Sequence, residues 1–87
     1  MPIFDIHISP DEPVYVISIA SKLSDLPVWT LRLLDKAGVV CPKRIGKKSR
    51  YYSLNDVKRL EYVHYLMDEK GVNISGIKII IEGEITK

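Results

Sequence analysis

Residues 18–38 read SIASKLSDLPVWTLRLLDKAG, and their spacing predicts two short helices joined by a tight turn. Ser18 is a suitable N-cap with apolar residues at helical spacing behind it, so we expect a first helix over about residues 19–24. A second helix is expected over about residues 27–36, because a proline in the first turn lacks only an amide hydrogen that has no partner there. Gly38 can adopt the left-handed conformation that ends it. This order is that of a helix-turn-helix unit.

A β-hairpin is predicted directly after this unit. Residues 39–41 and 50–52 are β-prone, and residues 42–49 between them hold Gly46 at the expected tip. A hairpin in this position is a wing. The predicted fold class is therefore mainly α with a small β-hairpin wing, a winged helix-turn-helix.

Two further helices are predicted in the second half of the chain. Ser53 and Asp56 form a capping box with aspartate in place of glutamate, and the long helix that follows is closed by Gly71. Its apolar face comprises Val57, Leu60, Val63, Leu66 and Met67. Asn73 can cap a last helix, although its β-branched content leaves a strand over residues 79–85 as the alternative. The isoleucines at helical spacing there are Ile74, Ile77, Ile80 and Ile81.

The size and composition of the chain predict one folded domain. Its 87 residues can hold one modest core, and 46% hydrophobic and 28% charged residues are ordinary for a globular protein. Apolar and polar residues alternate over residues 4–8, which predicts a short strand. We expect an N-terminal arm over residues 1–14, the winged helix-turn-helix domain over residues 15–83 and a tail over residues 84–87.

Charge is segregated along the chain. Residues 32–59 hold nine basic and two acidic residues, a balance of +7, while the remainder holds four basic and nine acidic residues, a balance of −5. A basic stretch on a nearly neutral chain is typical of a protein that docks one face on a polyanion. A solvated basic loop is the alternative, and the position of these charges in the fold decides between the two.

Several other functional classes lack support in the sequence. No apolar run approaches the length of a membrane span and the N-terminus has no secretory pattern, so we expect a cytoplasmic location. Cys41 is the lone cysteine, and His7 and His64 are far apart, so neither a disulfide nor a metal site is expected. Because no nucleophile has a supporting base and no phosphate loop is present, we expect no enzyme, no cofactor and no small-molecule site.

The second helix is expected to carry the base contacts, because a helix-turn-helix unit lays that helix in the major groove. Arg32 is the best candidate, since its planar fork matches two acceptors of guanine; an ion pair with Asp35 or Asp25 is the competing interpretation. Trp29 either packs on the DNA backbone or anchors a core or an interface. The other residues expected on or near the outer face are Thr30, Leu33 and Lys36, the last of them serving phosphate.

The wing is expected to carry the phosphate contacts. Basic residues on a glycine-tipped loop can straddle the DNA backbone or enter a minor groove. Those on this loop are Lys43, Arg44, Lys47 and Lys48. Arg50 and one of the next two tyrosines would anchor the return strand, and alternation requires Tyr51 and Tyr52 to face opposite ways. The candidate DNA-binding residues are Trp29, Thr30, Arg32, Lys36, Lys43, Arg44, Lys47, Lys48, Arg50, Tyr51 and Tyr52.

Six short segments, taken in order, carry a resemblance to a known family. They are Tyr15-Val16-Ile17-Ser18-Ile19-Ala20, Thr30-Leu31-Arg32, Lys36-Ala37-Gly38-Val39-Val40, Pro42, Arg50-Tyr51-Tyr52-Ser53 and Gly71-Val72-Asn73. Over residues 16–82 the chain resembles the N-terminal DNA-binding domain of the MerR family, and within it most the heat-shock repressors of the HspR type. The resemblance implies a second wing from Leu54 onward and a homodimer on a near-palindromic operator. It also implies DNA-contacting roles for Arg32, Arg50 and Tyr52.

Two departures from the family pattern bear on function. Residues 33–35 read LLD where many members have two aromatic residues and an acid, so a tyrosine-to-phosphate contact is not expected there. The family dimerises through a long coiled coil after the last helix, and this sequence reaches only Lys87. Sensing of a ligand or metal by such a region is therefore not expected. Two alternatives follow: the sequence is that of an isolated domain, or it pairs differently, through residues 4–8 or through the isoleucine-rich tail.

Three functions remain in competition. The order of elements favours a sequence-specific transcriptional regulator, in particular a dimeric repressor at an inverted-repeat operator in double-stranded DNA. An architectural factor resembling excisionases, which bends DNA, would use the same winged fold. A protein-interaction module would instead use the isoleucines near both termini.

Overall fold

The computed structural model describes residues 8–47 and 49–85, with side chains as far as Gly83. Within these residues, four helices pack around a small antiparallel sheet. The elements are β1 (Tyr15–Val16), α1 (Ile17–Ser24), α2 (Val28–Lys36), β2 (Lys43–Ile45), β3 (Ser49–Tyr52), α3 (Leu54–Asp68) and α4 (Ile74–Ile85). The expected fold class, mainly helical with a hairpin wing, is confirmed.

The helix-turn-helix unit consists of α1 and α2, which meet at a left-handed residue. Asp25 has a φ of 64°, a conformation that aspartate tolerates better than most residues. The hydroxyl of Ser21 donates to the backbone carbonyl of Leu26 across this turn. The next residue, Pro27, is the N-cap of α2, so that helix begins one residue later than predicted. The turn is short enough to hold the two helices in fixed orientation.

The start of α1 differs from the prediction. The helix begins at Ile17, and its N-cap is Val16, which makes no side-chain capping bond. The predicted cap, Ser18, lies exposed inside the first turn, so its assignment is wrong. Because β1 runs directly into α1 and pairs with β3, the end of that pairing sets the start of the helix.

Gly38 ends α2 as predicted, with a φ of 77°. Its amide N–H donates to the carbonyl of Asp35 at 3.0 Å, and the N–H of Val39 donates to the carbonyl of Leu34 at 2.9 Å. These two bonds form a Schellman motif, which satisfies the last carbonyls of the helix.

The first strand of the hairpin lies later in the chain than predicted. Val39 and Val40 are both buried in the core, and a strand that alternates its side chains cannot place two successive residues on one face. The predicted strand over residues 39–41 is therefore wrong, and β2 begins only at Lys43.

The sheet has a third strand that the sequence interpretation did not include. The strand order is β1-β3-β2, and both pairs are antiparallel. Tyr15 lies opposite Tyr52, and Arg44 lies opposite Arg50. Because β3 is the central strand, it connects the wing to the segment that leads into α1.

The two C-terminal helices follow the predicted caps. The hydroxyl of Ser53 accepts from the N–H of Asp56 at 3.0 Å, and the Asp56 carboxylate accepts from the N–H of Ser53 at 2.9 Å, which confirms the capping box. The side-chain oxygen of Asn73 accepts from the N–H of Gly76 at 2.9 Å. Since α4 is helical throughout, the alternative strand over residues 79–85 is wrong.

The core lies between the sheet and the four helices. Four of the five residues predicted on the apolar face of α3 are buried, and Met67 is partly buried. The buried apolar residues are Ala20, Leu26, Leu31, Leu34, Val39, Val40, Tyr52, Val57, Leu60, Val63, Leu66, Ile77 and Ile81.

The segment before β1 docks on the start of α3. The side-chain amide of Asn55 donates to the carboxylate of Asp11 at 2.7 Å, and its backbone N–H donates to the carbonyl of Pro10 at 3.0 Å. The strand predicted over residues 4–8 lies outside the described residues, apart from Ile8, which is exposed and belongs to no strand.

Replacing Ser53 by alanine is expected to lower the free energy of unfolding by about 1 kcal/mol, because the N–H of Asp56 loses its capping acceptor. Chemical denaturation followed by circular dichroism measures this difference. The matched control is Ser18→Ala, where no capping bond exists and the change should stay within about 0.5 kcal/mol. Equal effects of the two substitutions would contradict both cap assignments.

Candidate nucleic-acid interface

The outer face of α2 carries most of the residues predicted for DNA contact. Leu31 and Leu34 are buried, while the side chains that point outward are Trp29, Arg32, Leu33 and Lys36. Thr30 is only 2% exposed, so its assignment to the outer face is wrong. It precedes Leu34 by four residues, which on a helix places both on the same inward face.

The wing presents its basic residues to solvent. The hairpin turns between Ile45 and Ser49, and Gly46 has a φ of 74°, which favours glycine at that point. The described basic residues of β2 and the turn, all exposed, are Lys43, Arg44 and Lys47. Lys48, another predicted contact, lies outside the described residues.

A groove lies between α2, the second helix of the helix-turn-helix unit, and the wing. It is an open concave surface of about 550 Å³, lined by Arg32 of α2 and by Arg44, Lys47 and Arg50 of the wing. A smaller hollow of about 360 Å³ adjoins it, and Arg32, Arg44 and Arg50 line both, together with Lys36 and Asp35 in the smaller one. We call this surface, defined by those five cationic residues, the basic groove. Arg32 on α2 and the cationic residues of the wing therefore lie on the same side of the molecule.

One ion pair within the groove links β3 to α2. A guanidinium nitrogen of Arg50 lies 3.7 Å from a carboxylate oxygen of Asp35 on α2. An ion pair of Arg32 with Asp35 or Asp25 was the competing interpretation, but within the described residues Arg32 has no ion pair, and Asp35 pairs with Arg50 of β3. Arg32 is exposed on α2, while Arg50 is held close to α2 by its ion pair with Asp35.

Tyr51 and Tyr52 face opposite sides of β3, as predicted. Tyr51 is half-buried and lines the groove, whereas Tyr52 is 1% exposed and belongs to the core. The resemblance had implied a DNA contact for Tyr52. That implication is wrong for this structure, because the side chain has almost no surface for a partner.

Burial raises the pKa of the Tyr52 phenol to about 12, and the negative charge of Asp35 adds to the effect. The pKa of the Cys41 thiol is also raised, first by partial desolvation and then by Asp35. Its Sγ donates to the backbone carbonyl of Asp35 at 3.6 Å. The neutral thiol is the form that the fold favours, so this cysteine is a poor nucleophile.

Alkaline pH is expected to lower the free energy of unfolding, because it deprotonates the buried phenol of Tyr52. The folded-state pKa of about 12 exceeds the unfolded value of 10, so the stabilisation is complete below pH 10 and is lost as the pH rises to about 12. Two pKa units correspond to about 2.7 kcal/mol. The free energy of unfolding of the wild type should fall by about that much more than that of Tyr52→Phe across this interval. Parallel pH profiles of the two proteins would contradict the buried placement of the phenol.

In the part of the chain that the structure describes, no three His, Cys, Asp or Glu side chains are grouped so as to hold a metal ion. No helix there is both long and apolar enough to cross a membrane.

A two-helix unit, a basic wing and a groove between them define a winged helix-turn-helix domain, an architecture typical of DNA-binding regulators. The family model described as MerR HTH family regulatory protein matches residues 15–84, and the chain belongs to that family. The resemblance drawn from the six sequence segments is thereby confirmed.

Known relatives support the same assignment. The chain is 46% identical over 78 residues to the heat shock protein HspR of Streptomyces coelicolor, covering 90% of this chain and 52% of that protein. It is 32% identical over 69 residues to the HTH-type transcriptional regulator GlnR of Bacillus anthracis, covering 79% of this chain and 53% of GlnR, and equally to GlnR of Bacillus cereus. The similarity to HspR is thus confirmed, and none of these relatives is named as an enzyme. The chain spans about half the length of these relatives.

Proposed function

We propose that this domain binds double-stranded DNA in a sequence-specific manner and thereby represses transcription. The observation that carries the proposal is the basic groove. There, the exposed Arg32 of α2 and the cations of the wing line one side of the molecule. Arg32 reads guanine in the major groove, and the wing grips the adjacent backbone. The solvated-loop interpretation of the basic stretch is less favoured, because these charges line one concave surface.

The proposed contact set follows from which side chains are accessible. It retains the exposed or groove-lining residues of the sequence-based set and omits Thr30 and Tyr52, whose side chains are buried. The retained residues are Trp29, Arg32, Lys36, Lys43, Arg44, Lys47, Arg50 and Tyr51, with Lys48 kept on sequence grounds.

The operator is an inverted repeat bound by a homodimer of the domain that spans residues 15–83. A single domain of this size presents one recognition helix, and two-fold symmetry in the protein matches two half-sites about one helical turn apart. Ile79, 73% exposed on α4, is a candidate contact between the protomers. Repression rather than activation is supported by the likeness of the sequence to the HspR type.

Selection of bound duplexes from a randomised DNA library tests this proposal. An inverted repeat should be enriched, and its affinity should exceed that of a scrambled duplex by at least about 10³-fold at physiological salt. Light scattering of the complex should give two protomers per duplex, and the site placed in a promoter should lower reporter expression. Equal affinity for both duplexes would reject sequence-specific binding. Bending with side-by-side filaments would instead identify an architectural factor.

A further inference from the structure

Two large apolar side chains stand exposed on the recognition helix. Trp29 is 64% exposed and Leu33 is 42% exposed, although α2 has a buried face available to apolar residues. They are four residues apart, so they lie one above the other on the helix surface. Single exposed apolar residues are ordinary on a protein surface, but two that adjoin on a functional helix form a patch. We call Trp29 and Leu33 the apolar pair.

The apolar pair lies beside the cationic residues of the same helix. Arg32 follows Trp29 by three residues and Lys36 follows Leu33 by three, so each apolar side chain has a cation as its surface neighbour. Both cations line the basic groove. The patch therefore continues a surface suited to a polyanion, and a partner there must offer apolar and anionic groups at close spacing.

The floor of the DNA major groove offers that combination. Each thymine presents a C5-methyl group there, while guanine presents two acceptors and phosphates border the groove. Apolar side chains contact the thymine methyl by burial, with no hydrogen-bond geometry to satisfy. A broad indole and a branched leucine can cover such methyl groups on neighbouring base pairs.

We propose that Trp29 and Leu33 read thymine methyl groups, and that each operator half-site carries thymines next to the guanine contacted by Arg32. This inference rests on the proposed function, since it names the sequence class that the same helix selects. The apolar pair determines specificity through burial, whereas Arg32 does so through hydrogen bonds. An acidic protein with an apolar anchor is the competing occupant of this face, and the test below separates the two.

Replacing single thymines by deoxyuridine in the selected duplex tests the proposal. This change removes only the methyl group and keeps the base pair. At a contacted position the wild type should bind the uridine duplex about fourfold more weakly, the effect of exposing one buried methyl. Trp29→Ala and Leu33→Ala should each abolish this preference at one position and leave it intact at the other.

Leu23→Ala is the matched control, because it removes an exposed apolar side chain from α1, outside the apolar pair and the basic groove, and should leave every thymine-to-uridine ratio unchanged. The inference is overturned if the selected site has no thymine beside the guanine, or if the wild type binds thymine and uridine duplexes equally. Preserved ratios in both α2 variants would likewise overturn it, because other side chains would then contact the methyl groups. A library with no enriched sequence overturns the proposed function itself, and this inference with it.

Discussion

Replacing Arg32 by alanine is expected to weaken binding to the selected inverted repeat by about 5- to 150-fold for each half-site. Its guanidinium is exposed on α2 and lines both parts of the basic groove. A bidentate contact to guanine is worth about 1–3 kcal/mol, and in a homodimer the loss occurs twice. Fluorescence anisotropy with the labelled duplex measures the effect.

The specificity ratio separates base reading from charge. Arg32→Lys keeps the positive charge but loses the planar fork, so it should retain affinity for scrambled DNA and lose preference for the selected site. Both variants should keep the free energy of unfolding within about 0.5 kcal/mol of wild type, because Arg32 is exposed. A lysine variant with undiminished preference for the selected site would show that Arg32 contacts only phosphate.

The sequence alone predicts those features whose interacting atoms lie close together along the chain. The capping box of Ser53 and Asp56 and the left-handed Gly38 were predicted because each depends on atoms within a few residues. The wing tip at Gly46 was predicted for the same reason. These features fix the boundaries of the helices and the hairpin, and hence most of the fold.

Contacts between residues that are far apart in the sequence could not be predicted from local patterns. Tyr15 pairs with Tyr52 in the sheet, and that contact sets the start of α1 in place of the expected cap at Ser18. Val39 and Val40 have high β propensity, yet they turn into the core because the Schellman motif directs the chain there. Tertiary packing overrides propensity at such positions.

The candidate site shows the same division. The residue types of the basic groove could be read from the sequence, but which tyrosine of β3 faces inward could not, since alternation fixes only that Tyr51 and Tyr52 differ. The ion pair of Arg50 with Asp35 joins two elements and has no local signal. It matters for energetics, because a cation already paired within the protein contributes less to phosphate binding than a free one.

The salt dependence of DNA binding follows from the number of cations that are available to neutralise phosphates. Among the described residues of α2 and the wing, the exposed cations available for phosphate are Lys36, Lys43, Arg44 and Lys47. Lys48, kept in the contact set on sequence grounds, is a fifth. With a slope of about −0.9 per neutralised phosphate, log K against log salt should fall with a slope of about −4.5 for one protomer and about −9 for a homodimer. Between 50 and 200 mM salt, affinity should drop about 500-fold for one protomer and about 10⁵-fold for a homodimer. The slope therefore also reports the stoichiometry.

Asp35→Asn provides the matched variant for this titration. It removes the carboxylate that holds Arg50 at 3.7 Å while preserving the shape of the side chain, so Arg50 becomes free to neutralise a further phosphate. The slope should steepen by about 0.9 for each protomer, and affinity at low salt should rise because a negative charge beside the groove is lost. An unchanged slope would mean that Arg50 contacts phosphate without leaving Asp35. A wild-type slope shallower than about −1 would contradict the basic groove as a DNA-binding surface.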